Sequence, residues 1–157
     1  MSAVEEGRAW AVAYSIELRP DHTTRSARVR CVDADGLHEV AIEADGVGGW
    51  TVDGAPAPHV EGCLDVDLEA SVLTNAFPVA RLQLAVGAEA QAPAAYVRVP
   101  DLRVERLEQR YVRVAEHEYD YESPAFDFFC RLVYGEDGLV VDYPGIAERH
   151  GGSGTAH

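Results

Sequence analysis

The 157-residue chain carries 27 Asp and Glu against 13 Lys and Arg, a net charge of −14, with 47% hydrophobic residues. One domain with an ordinary capacity to form a core fits that length and composition. The acidity opposes phosphate backbones and anionic lipid headgroups, and no Lys/Arg cluster offsets it locally, which argues against nucleic acid and stable membrane anchoring.

Period-two alternation dominates the chain. Over residues 10–18, Val12, Tyr14, Ile16 and Leu18 face one way and Ala13, Ser15 and Glu17 the other, until Pro20 and Asp21 break the run. A second strand spans 25–32. Asp33-Ala34-Asp35-Gly36 is a hairpin turn into a partner strand over 37–44, because Asp tolerates turn conformations and Gly supplies positive φ. Asp45-Gly46 starts another turn, and a short strand returns over 48–52 to Asp53-Gly54. This succession predicts an antiparallel meander. Residues 63–68 alternate again, with Asp65 and Asp67 on one face and Leu64, Val66 and Leu68 on the other. A loop through Thr74, Asn75 and Pro78 leads to a predicted strand over 79–86, where Arg81 and Gln83 oppose Leu82, Leu84 and Val86. The alanine-rich 87–94 stretch reads as a loose loop.

Further strands are predicted over 95–99, 102–107, 109–115, 118–122, 126–134 and 139–143, with Asp137-Gly138 turning between the last two. Val104, Leu107, Tyr111 and Val114 also fit a helical stripe; strands are preferred because Tyr111-Val112-Arg113-Val114 alternates and β-branched residues suit a pleated face. The expectation is a mainly β fold of antiparallel strands in a curved sheet, roll or partly open barrel. It forms a single domain over 1–149, followed by a Gly-rich disordered tail over 150–157.

Cys31, Cys63 and Cys130 are odd in number and far apart, which suits reduced thiols better than a disulfide framework. The first residues hold no apolar signal core, and no run of about 18 apolar residues occurs, so a cytoplasmic location is expected. No nucleophile-elbow, phosphate-loop, dinucleotide or zinc-protease motif is present. No catalytic set, cofactor or metal site is therefore assigned. His22, His59, His117 and His150 fall in turns or the tail without ligand spacing.

Asp65 and Asp67 are the most suggestive acids. At i and i+2 of a strand their Cα atoms lie roughly 6–7 Å apart on one face. Such a pair can hold a cation, bracket a glycosidic bond or accept hydrogen bonds from sugar hydroxyls; it can equally be a solvated outer face. Arg81 pairing with one acid would lower its pKa. Trp50 can stack on a sugar or serve as a core indole. Tyr111, Tyr119, Tyr121, Tyr134 and Tyr143 suit either an amphipathic cavity or a small β-core.

The run Gly62-Cys63-Leu64-Asp65-Val66-Asp67-Leu68, followed by Thr74-Asn75-Ala76-Phe77-Pro78-Val79-Ala80-Arg81-Leu82, resembles the signature of the putative glycolipid-binding family of bacterial proteins. That family's pattern is close to G-C-x-D-V-D-L and T-N-T-L-P-I-R-R-L. Pro100-Asp101-Leu102, Gln109-Arg110-Tyr111, the 138–144 stretch, Tyr14 to Arg25 and Gly49-Trp50 extend the likeness over most of 10–148. Phe77 and Ala80 depart from the pattern, and an opening segment before the Tyr14 strand is expected to be missing, which would leave a sheet edge uncovered, and so available for homodimerisation, or open the pocket. The resemblance implies a spiral β-roll and a glycolipid or other amphipathic ligand. It carries over Asp65, Asp67, Thr74, Asn75, Arg81, Gln109, Tyr111, Asp142 and Tyr143 as shared polar positions, and Trp50 joins them as a stacking candidate. The expected function is non-enzymatic binding of that ligand. A carbohydrate-directed hydrolase using Asp65 and Asp67, and a protein-interaction module using a strand edge, are the alternatives.

Overall fold

A computed structural model describes residues 2–5, 7–144 and 147–148. The tail expected over 150–157 lies outside the described residues. The first six strands, β1 (Ser2–Glu5), β2 (Arg8–Leu18), β3 (Thr24–Asp33), β4 (Gly36–Ala44), β5 (Trp50–Val52) and β6 (Ala55–Pro56), form an antiparallel sheet in chain order. The meander predicted here is the one observed. Val12, Ala27, Val29, Cys31, Val40 and Ile42 turn into one apolar layer. Arg28 and Arg30 pair with Glu39 on the opposite, solvated face. The β3–β4 hairpin closes where expected, with Gly36 at φ +125° and Asp33 Oδ1 accepting from the Asp35 N–H at 2.9 Å. The bare edge expected ahead of the Tyr14 strand is covered over its first residues, because β1 pairs with Arg8–Ala11 of β2.

The motif glycines explain how the chain leaves this sheet. Gly62 donates its N–H to the Gly48 carbonyl at 2.8 Å, and a Cβ on Gly48 would lie 3.1 Å from the Gly62 Cα. Both residues have positive φ, so a side chain at either would be strained, and one at Gly48 crowded as well. The chain then enters β7 (Asp65–Leu68), whose four residues are all buried. Leu68 leads through a short 3-10 turn to α1 (Ala76–Leu82), then to β8 (Glu89–Gln91), β9 (Ala94–Val97) and β10 (Val104–Leu107). β9 pairs antiparallel with β10 and parallel with β7, with Asp67 opposite Tyr96. A parallel neighbour requires a long crossover, and the segment carrying α1 and β8 supplies it.

Two predictions fail in this crossover. The strand expected over 79–86 is α1, entered from a 3-10 turn whose Ser71 Oγ accepts from the Leu73 N–H and ended by Gln83 in the left-handed region. Pro78 falls in the first turn, where the missing N–H costs nothing. The loop expected over 87–94 contains β8, which pairs with the later strand Arg110–Ala115.

The remaining strands, β11 (Arg110–Ala115), β12 (Glu118–Ser123), β13 (Phe128–Tyr134), β14 (Val140–Tyr143) and β15 (Ala147–Glu148), join β8 in a second six-stranded antiparallel sheet. The 104–114 stretch is strand, as preferred over helix. Register shifts at Arg113/Ala115 and Val133/Tyr134 bend this sheet. The small central sheet contributes to the first core. Val66, Leu68, Ala95 and Val97 pack against the first large sheet. The second core gathers Tyr111, Tyr119, Tyr121, Tyr134 and Tyr143 with Ala76 of α1. Asp65 and Asp67 alternate with Val66 on β7 and so point to the side of the second core, away from the first. The fold is mainly β, antiparallel apart from the β7–β9 pair, and a single domain. Among the described residues no helix is long and apolar enough to cross a membrane.

Candidate functional site

A cavity of about 310 Å³ opens between the central sheet and the second large sheet. Its walls are aromatic: Tyr96, Tyr121, Phe126, Phe128 and Tyr143. Leu68, Val72 and Leu107 add aliphatic surface. Phe128 stacks on Tyr143 with ring centroids 5.9 Å apart, and Phe126 meets Tyr96 edge-on at 5.7 Å. Phe126 keeps 48% of its surface exposed and so stands at the mouth. The buried polar residues of the lining are Asp67, Ser71, Asn75 and Ser123, while Glu69 is exposed at the rim.

Asp67 is held by two donors. Thr74 Oγ1 donates to Oδ1 at 2.6 Å, and Gln109 Nε2 donates to Oδ2 at 2.5 Å and to the Tyr121 hydroxyl at 3.0 Å. Thr74 Oγ1 in turn accepts from the Leu68 N–H at 3.2 Å. Asn75 Nδ2 donates to the Tyr111 hydroxyl at 3.0 Å, and the Tyr134 hydroxyl donates to the Asn75 carbonyl at 2.9 Å. These bonds fix the 3-10 turn that precedes α1 against the tyrosines of the second sheet. Ser71 Oγ lies 2.7 Å from the Tyr14 hydroxyl and ties the rim to β2. Ser123 Oγ is buried without a well-formed hydrogen bond among the described residues. It is near enough to the Tyr121 phenol to lower that group's pKa, against a larger rise from burial.

Asp65, the other acid of the strand, lies outside the cavity lining. Arg81 clamps it with two bonds, Nε to Oδ1 at 3.1 Å and Nη2 to Oδ2 at 2.7 Å, and so pins α1 to β7. The expected pairing of Arg81 with an acid is present, but the expected net lowering of pKa is not. Burial raises the Asp65 carboxyl above its ordinary value, and Arg81 offsets only part of that rise. The solvated outer face considered for the two acids is also absent, since both side chains are buried.

Of the ten residues singled out from the sequence, Asp67, Asn75 and Tyr143 line the cavity. Thr74, Gln109 and Tyr111 stand behind them as hydrogen-bond partners. Trp50 is buried in the first core, its indole N–H donating to the Cys63 carbonyl at 2.8 Å, and does not reach the cavity. Asp142 is half-buried and outside the lining. Sequence reasoning passed over Ser123, Tyr96 and Phe128. For Ser123 the signal was present: Tyr119, Tyr121 and Ser123 occupy the buried positions of the alternating strand β12. Tyr96 had none, because it reaches the cavity through the β7–β9 pairing. Among the described residues no group of three or more His, Cys, Asp or Glu is placed to hold a metal.

Burial also raises the Asp67 carboxyl, with Asp65 and Glu69 adding to the rise and the Thr74 and Gln109 hydrogen bonds opposing it. An acid with a raised folded pKa binds more protons folded than unfolded. Its contribution to stability therefore declines as pH rises from about 3.8 through the folded value. Asp67→Asn removes this titration and retains the hydrogen bonds if the Gln109 amide turns to accept with Oε1. Urea unfolding at about pH 4 and about pH 8 should show the variant losing less stability over that interval than the wild type. An unchanged pH slope would mean that Asp67 is not its source.

Comparison with known proteins bears on the family and the fold. The model of a family described as putative glycolipid-binding matches residues 1–149. A crystal structure of a DUF1089 family protein from Pseudomonas aeruginosa superposes with a TM-score of 0.90 at 35% identity, covering 95% of this chain and 83% of that one. No curated protein matches the chain.

Proposed function

The chain belongs to the putative glycolipid-binding family, and on that premise we propose that it binds an amphipathic small molecule of glycolipid character and does not chemically transform it. The observation that carries this reading is the cavity between the sheets, where aromatic walls meet a buried polar floor of Asp67, Asn75 and Ser123. Mostly apolar concavities with a few placed polar groups are the usual form of small-molecule sites.

In this reading Asp67, Asn75 and Tyr143 touch the ligand, and the partners behind them set its geometry. Thr74 and Gln109 orient Asp67, and Tyr111 orients Asn75. Arg81 and Asp65 hold α1 in place at a distance. Trp50 and Asp142 take no part in binding. The hydrolase alternative using Asp65 with Asp67 draws less support, because Asp65 is clamped by Arg81 and lies outside the cavity lining.

Native mass spectrometry of protein drawn from a lipid-rich lysate should show a co-purifying amphiphile. Thermal denaturation should shift upward with neutral glycolipids, as binding to the folded state requires. A clean apo mass together with no shift across a glycolipid panel would contradict the proposal.

A further inference from the structure

Three observations bear on which part of the ligand enters the cavity. The first is an unmet hydrogen-bonding group. Ser123 is 1% exposed and lines the cavity, and its Oγ, beside the Tyr121 phenol, has no well-formed partner among the described residues. Buried hydroxyls are normally satisfied, so an orphan facing a cavity marks a place where a ligand atom belongs. The second is spare acceptor capacity. Each Asp67 oxygen takes one donor, from Thr74 or Gln109, whereas a carboxylate offers about four lone-pair sites. A ligand hydroxyl can donate to Asp67 while accepting from Ser123. An acyl chain can do neither.

The third is charge and size together. Among the described residues the charged members of the lining are Asp67 and Glu69, with no Lys or Arg. An anionic headgroup would lie in a partly dry site beside Asp67 with no counter-charge, the arrangement that costs most on burial. The cavity volume of about 310 Å³ stands at the lower end of the ~300–1,000 Å³ usual for small-molecule pockets. That is the scale of one sugar ring and well below a pair of long acyl chains.

Resting on the binding function above, we propose that the cavity takes the headgroup of its ligand and leaves the tail outside. The headgroup is uncharged and hydroxyl-bearing, about one sugar ring in size, held between Asp67 and Ser123. The tail leaves past the half-exposed ring of Phe126. Anionic headgroups on the same tail are rejected.

Calorimetric titration with octyl glucoside and octyl sulfate, each below its micelle concentration, tests this on the intact protein. Octyl glucoside should bind the wild type at least about tenfold more tightly than octyl sulfate, given the cost of an unpaired like charge. Ser123→Ala should weaken octyl glucoside about fivefold, one ordinary hydrogen bond, with no loss of thermal stability, and Ser123→Thr should recover most of the affinity. Equal binding of the two amphiphiles, or octyl glucoside binding indifferent to Ser123→Ala, would overturn the headgroup assignment and leave the amphiphile reading standing. If neither probe binds, both fall.

Discussion

Replacing Arg81 with methionine should destabilise the protein by about 3 kcal/mol at neutral pH, the lower end of the ~3–5 kcal/mol expected when a buried ion pair loses one partner. The lower end applies because the Arg81 side chain keeps 15% exposure while Asp65 keeps 1%, so water already moderates the pair. Removal of the guanidinium leaves the Asp65 carboxylate buried without its two donors. The deficit should depend on pH. Burial already raises Asp65 with Arg81 in place, and without it the carboxyl rises further. At about pH 4 the variant protonates Asp65 more readily than at about pH 8 and so regains part of the loss. Urea unfolding at both values should therefore show a smaller deficit under acid conditions. Adding Asp65→Leu to Arg81→Met should restore much of the stability, since apolar replacement of a whole buried pair is often neutral or better. A deficit under about 1 kcal/mol, or one that is the same at both pH values, would mean that the clamp does not hold α1 to β7.

Val72→Trp should abolish binding while leaving the fold intact. Val72 lies on the 3-10 turn before α1, half-buried and in the cavity lining. An indole there occupies the space proposed for the ligand. Overpacking a filled core costs about 1–3 kcal/mol, but here the added volume enters a void, so the penalty should fall at or below that range. Octyl glucoside affinity is expected to drop at least about 100-fold, because a filled site forfeits the whole contact surface. The thermal midpoint should move by only a few degrees, in line with about 1 kcal/mol. Retained affinity would place the ligand elsewhere on the molecule.

How much of this could be read from the chain depended on the range of the interaction concerned. The strands of the first sheet were legible because each hairpin is local: Val12, Val29, Val40 and Ile42 alternate with solvated charges, and Asp33 to Gly36 carries its own turn chemistry. α1 was not legible. Leu82, Leu84 and Val86 fit a period of two while Val79, Leu82 and Val86 fit a helical spacing, and seven helical residues are too few for periodicity to separate the two. What selects helix is tertiary, namely the Asp65 clamp on Arg81 and the Asn75 contacts with Tyr111 and Tyr134. The parallel β7–β9 pair was hidden for the same reason, since no local signal links Asp67 to Tyr96 across the crossover. The site divides along this line. Asp67, Asn75 and Tyr143 stood out through family motifs, whereas Tyr96 and Phe128 converge on them only when the two sheets close. Trp50 stood out as well, and its role is structural, as a core indole bonded to the Cys63 carbonyl.

The central claim is that the space between Tyr96, Tyr143 and the Asp67–Ser123 floor is where a ligand sits. A crystal structure of the protein with octyl glucoside bound addresses it directly. The account predicts density for the sugar ring inside the cavity, with a ring hydroxyl within hydrogen-bond distance of Asp67 and Ser123 and the octyl chain leading out beside Phe126. Ordered density for the amphiphile at another surface, with this cavity occupied by water alone, would contradict it.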